Sequence, residues 1–143
     1  MEEIITLKEL LLKGDISGAI ALAEEIEEMS KKDIINNIRS FAVILLLHLI
    51  KQQVENRTTR SWDVSIRNSV LEIHGLNKRP KSKGFYLDAE ELKLTLTEAY
   101  AQALNKASLE VAEGIYDIEE LGAMVDAGEI IERALGLIFG AEG

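Results

Sequence analysis

The chain is most constrained by the stretch Ile38–Val54, IRSFAVILLLHLIKQQV. From Phe41 to Ile50 every residue is apolar except His48. A run of this length is too short to cross a bilayer as a helix, which takes about 20 residues. It is too long for an ordinary strand and so reads as the middle of a helix. Neither glycine nor proline interrupts the sequence from Ser30 to Arg60. Ser30-Lys31-Lys32-Asp33 has the spacing of a capping box, with Asp33 suited to the positive first turn of a helix. The spacing therefore predicts a helix from about 31 to about 55, roughly 37 Å long at about 1.5 Å per residue. Its middle is apolar all round, so other helices must surround it. The expected fold is all-α: a bundle of about five main helices around this central one.

At helical spacing His48 shares a stripe with Ile38, Phe41, Leu45 and Gln52. A buried polar group without a partner costs roughly 1–3 kcal/mol. His48 therefore needs one, expected from another helix, and Lys51 lies one turn on.

The rest of the chain divides readily. Ile4–Lys13 reads as a short helix stopped by Gly14, and Asp15 can cap a second from Ile16 to about Met29. The apolar face of that second helix is Ile16, Ala19, Ile20, Ala23 and Ile26. Glu27 falls inside the face and Glu24 at its edge, so Glu27 is expected to be buried and paired with Arg39 or Arg67. Ser61 is a candidate cap for a helix from about Trp62 to Asn77. The loop Lys78-Arg79-Pro80-Lys81-Ser82-Lys83-Gly84 is basic and should be exposed. Asp88-Ala89-Glu90-Glu91 opens a long helix to about Glu113, ended by Gly114. Two short helices follow, about Asp117–Val125 and Gly128–Phe139, where six of the ten glycines lie from Gly114 onward. Residues 1–143 read as a single domain, with 114–143 a candidate for a loosely attached helical tail.

The net charge of −9 is unevenly spread. Residues 1–33 hold four bases and nine acids (−5), residues 34–83 nine and three (+6), and residues 84–143 three and thirteen (−10). Acidic outer helices packed around a basic middle explain this, and the basic loop lacks the interleaved aromatics of a nucleic-acid surface. There is no cysteine, which excludes a disulfide scaffold, thiolate zinc and a thiol nucleophile. The N-terminus does not have the form of a secretory signal, so a cytoplasmic protein with no membrane association is expected.

Several residues read together carry a resemblance. Ala23-Glu24-Glu25-Ile26-Glu27 is followed by Leu47-His48-Leu49-Ile50-Lys51 and by Gln53 and Arg57. Ser61-Trp62, Ile66-Arg67, and Tyr100 with Ala103 and Ala107 come next. In order and spacing the set resembles the bacterial "domain of unknown function 29" family over about Leu22 to Glu113. The resemblance implies a small all-α protein and no particular activity. The helical, glycine-spaced end of this chain departs from the proline-containing, Asp-rich end of the family.

The chemistry-bearing residues are few. Glu24, Glu27 and His48 are types that suit Zn, Fe or Mn. The Glu-x-x-His spacing of helical di-iron bundles is missing, since Leu45 and Leu71 precede His48 and His74 by three. A buried ionic pair that fixes helix packing is the stronger reading, and no metal or other cofactor is expected. Trp62 could serve as a ligand platform, with Arg57, Arg60 and Arg67 able to hold an anion near it. No phosphate loop or nucleophile elbow is present. The expected role is a small protein-interaction or regulatory module without catalytic activity, its partner another protein or a second copy. The alternative is an enzyme or metal-binding protein with a polar site of Glu24, Glu27, His48, Lys51, Trp62 and Arg67.

Overall fold

The computed structural model describes residues 2–79 and 84–140. Among them are six α-helices: α1 (Glu2–Leu12), α2 (Ile16–Glu55), α3 (Arg60–Asn77), α4 (Ala89–Glu110), α5 (Ile118–Met124) and α6 (Ala127–Gly140). A 3-10 turn, Val111–Gly114, follows α4, and the one β feature described is an isolated antiparallel bridge between Lys78 and Phe85. The protein is all-α, as the periodicity predicts. Part of the basic loop expected at 78–84, residues 80–83, lies outside the described residues.

The helix ends follow local chemistry. Gly14 takes φ +79°, and the amide of Asp15 reaches back to the Leu10 carbonyl at 2.9 Å, closing α1. The Asp15 carboxylate accepts from the Gly18 amide at 2.9 Å and opens α2. α3 is capped by Thr59, which accepts from the Trp62 amide, and not by Ser61. Asp88 and Glu91 form a full capping box on α4, and Asp117 and Glu120 do the same on α5.

The expected break at Ser30 does not occur. One helix of 40 residues replaces the two expected there. Ser30 and Asp33 stand exposed in mid-helix, where such residues cost at most about 0.7 kcal/mol each relative to Ala. Without glycine or proline nothing obliges the backbone to leave the helix. The chain does divide into two compact units, residues 1–35 and 36–143, and the border falls inside α2.

In the first unit Ala19 is buried and Leu7, Leu10, Leu22 and Ile26 are half-buried. No residue of α1 is buried. In the second unit the apolar run of α2 is the core: Ile38, Leu45, Leu46, Leu49 and Ile50 are wholly enclosed. The enclosure has an open line at Ser40 and Ile44. A part of α2 is long and apolar enough to cross a membrane by length and composition alone, a test that core helices also pass.

Two ion pairs set the direction of packing. Arg39 Nη2 meets Glu98 at 2.6 Å, and Lys51 Nζ meets Glu110 at 3.1 Å. The same offset of 59 residues links both pairs, so α2 and α4 run parallel. That agrees with an up-down-up order in which α3 returns between them. α6 packs on α3 and α4, and α5 packs on α4. The C-terminal segment adds Leu121, Ile130, Ile131, Ala134, Leu135 and Ile138 to the core.

Candidate functional site

α2 ends at Glu55, and the chain turns through Asn56, whose φ of +50° is a left-handed conformation that asparagine tolerates. The turn brings Arg57 back onto Glu55. Arg57 Nε and Nη2 donate to Glu55 Oε1 at 2.9 and 2.8 Å. Glu55 Oε2 accepts from the Ala112 amide at 3.4 Å, in the turn after α4. That turn is left-handed through three residues, with φ +48° at Ala112, +60° at Glu113 and +79° at Gly114.

Trp62, on the first turn of α3, is half-buried against this corner. Two cations stand over its ring, Lys51 Nζ at 4.8 Å and Arg57 Cζ at 4.7 Å from the centroid. The corner surrounds a cavity of about 340 Å³ lined by Lys51, Glu55, Arg57, Trp62, Glu110 and the turn. Trp62 is thus a platform already occupied by the protein's own cations.

A second network lies beside it. Thr58 Oγ1 donates to Asp63 Oδ1 at 2.7 Å, and Gln52 Nε2 donates to the same oxygen at 3.3 Å. Gln52 Oε1 accepts from Arg133 Nη2 at 3.0 Å. The Gln52 amide is therefore a bridge between a carboxylate on α3 and a guanidinium on α6. An open polar groove of about 550 Å³ runs over Gln52, Asn56, Arg57, Thr58 and Arg133. It adjoins a more apolar pocket that shares Gln52, Asp63 and Arg133 and reaches Arg67.

The six residues singled out by sequence have different fates. Lys51 and Trp62 meet directly. Arg67 is exposed and lines the apolar pocket. His48 is half-buried, and its partner comes from its own helix: Nδ1 donates to the Ile44 carbonyl at 2.8 Å. Glu24 and Glu27 belong to the first unit, and both are exposed. The expected burial of Glu27 is thus corrected; Arg39 is bound to Glu98. The stripe Ile16, Ile20, Ala23, Glu27 exists as a helix face, but that face is open to solvent. Among the described residues no three His, Asp or Glu side chains gather where a metal ion could be held.

Sequence reasoning missed Glu55, Asp63, Glu110 and Arg133. Arg133 had left a signal: it is one of only three bases in the acidic segment 84–143.

Neither a curated protein nor a solved structure matches the chain. A family model does match, over residues 15–122. Those residues include Glu24 and Glu27 of the first unit, the Lys51–Trp62 corner and all of α4. The chain belongs to the family described as Domain of unknown function DUF29.

Proposed function

We propose that the protein is a non-catalytic interaction module whose first unit, residues 1–35, binds a basic amphipathic helix of another protein. One observation carries this reading. Large apolar side chains of the unit remain exposed, among them Ile5 at 55%, Leu12 at 88%, Ile16 at 56% and Ile20 at 55%. A contiguous apolar face rimmed by charge is a common feature of protein-interaction surfaces. Helices that dock on apolar surfaces do so through apolar anchors at one-turn spacing, and Ile16 and Ile20 are one turn apart.

Charge selects the partner. The unit holds nine acids and four bases, with Glu24 and Glu28 beside the open stripe. A second copy would set two surfaces of −5 against each other, whereas a basic helix would neutralise the rim. No specific observation favours the reading as an enzyme or metal protein. Lys51 is tied to Glu110, and His48 to the backbone of its own helix.

The test is photo-crosslinking from a reactive side chain placed at Ile20, followed by identification of the captured segment. A basic segment with apolar residues at helical spacing is expected. Ile16→Ser combined with Ile20→Ser should abolish capture, with the helical content of the protein unchanged. Capture of this chain alone, or of acidic segments, would refute the reading.

A further inference from the structure

The apolar pocket beside the Gln52 bridge, of about 380 Å³, has a composition that singles out one kind of ligand. Its floor is Ile66 and Val70 from α3 and Leu137 from α6. Ile66 and Val70 are nearly buried, while Leu137 is 38% exposed. Two arginines line the same pocket, Arg67 from α3 and Arg133 from α6. Among the described residues neither has a carboxylate within ion-pair distance, although Asp63 stands one helical turn before Arg67 and lines the same pocket.

Asp63 is otherwise engaged. Its Oδ1 takes hydrogen bonds from Thr58 and Gln52, and it sits in the first turn of α3, where the helix N-terminus offsets a negative charge. Through Gln52 this network holds Arg133 by one of its nitrogens and leaves its remaining donors open. A guanidinium held in this way, in a pocket shared with a second arginine and with aliphatic side chains, suits a carboxylate that carries an aliphatic tail. The head would take charge-assisted bonds from both arginines, and the tail would cover the floor.

We propose that this pocket binds a small aliphatic carboxylate, with Arg67 and Arg133 on the head group and Ile66, Val70 and Leu137 on the tail. Gln52 and Asp63 are positioning residues that hold Arg133. This site lies wholly in the second unit and is independent of the partner surface on the first.

The experiment is a titration of the full chain with octanoate, followed by methyl NMR and calorimetry. Saturable binding is expected, with shifts at Val70, Leu137 and Ile66. Octanamide, which has the same tail without the charge, should bind about tenfold more weakly or worse, the loss expected for a charge-assisted hydrogen bond. Arg67→Gln and Arg133→Gln should each weaken octanoate by a similar factor. Arg60→Gln removes the same charge from an exposed residue that does not line the pocket, and should leave binding unchanged. Gln52→Leu should weaken octanoate and erase the difference between octanoate and octanamide that Arg133 supplies. No saturable binding at millimolar concentration, equal affinity for octanamide, or an equal loss in Arg60→Gln would each overturn the proposal. So would shifts confined to Ile16 and Ile20, which would show that the tail merely seeks the open face of the first unit.

Discussion

Gly114 is the residue whose replacement the backbone forbids most clearly. Its φ is +79°, and an added Cβ would stand 3.0 Å from the Leu109 carbonyl oxygen. Gly114→Ala should therefore lower stability by about 1–3 kcal/mol in a denaturant titration. Ala112 and Glu113, in the same turn, are held left-handed without that freedom, with Glu55 bonded to the Ala112 amide. Tyr100, on α4, makes a different prediction. Burial, and then the Asp126 carboxylate, raise its phenol above the ordinary value of 10.0. The folded state thus holds this proton more tightly than the unfolded chain. The stability it contributes is complete below pH 10.0 and is lost as pH rises through the folded value. The denaturant midpoint should fall over that window, and less steeply in Tyr100→Phe. At this scale the sequence was legible where a residue acts on its own neighbours. Asp88 caps α4 and Gly14 ends α1 because their partners lie within four residues. Glu27 was misplaced because helical spacing defines a stripe and not what covers it. His48 took a carbonyl one turn back, a partner available to any helical residue whose side chain reaches it.

Elements are held by less obvious groups. Asn77, at the end of α3, is buried and clasps Leu87 from both sides, donating to its carbonyl at 3.1 Å and accepting from its amide at 2.8 Å. With the bridge between Lys78 and Phe85, this joins α3 to the segment entering α4. Asn77→Ala leaves both Leu87 groups without that partner, and should cost about 2–4 kcal/mol, measured by urea unfolding. Gly136 offers the opposite change. It lies within α6, and a Cβ there would meet nothing within 4 Å. Gly136→Ala should raise stability by about 0.4–1 kcal/mol and the thermal midpoint with it. The glycine spacing pointed to a loosely attached tail. It carried no information about the five apolar positions of α6 that enter the core, because propensity is local and burial is not. The polar signature at Ser30 did not mark a helix start. A cap works only where the backbone leaves the helix, and in an exposed stretch a serine and an aspartate are weak reasons to leave.

For the molecule as a whole, the apolar run of α2 was sufficient to identify the all-α class and the central helix of the second unit. The division into two units was not read from the sequence: the charge changes sign at residues 33–34, beside the border, but neither glycine nor proline marks a break in the helix there. The candidate sites were half-visible for a related reason. Lys51 and Trp62 stand out as residue types, but the offset that joins them to Glu110 and Arg57 belongs to helix packing and loop closure. Arg67 was visible as a cation, whereas Arg133, which meets it at one pocket from the far end of the chain, was not.

Every residue of α2 from Glu27 to Asp33 is exposed. The helix there is supported by its own hydrogen bonds and has little apolar burial to protect it. Local opening costs least where burial is least, and a protease must open a helix before it can cut one. Among the tryptic sites of α2, Lys31 and Lys32 should therefore be cut in brief digestion before Arg39 and Lys51, which are paired beside the enclosed core. The larger product would begin within a few residues of the border between the two units. In a digest this continuous helix would behave as a hinge loop does, giving two fragments at a place where the sequence offers no loop at all.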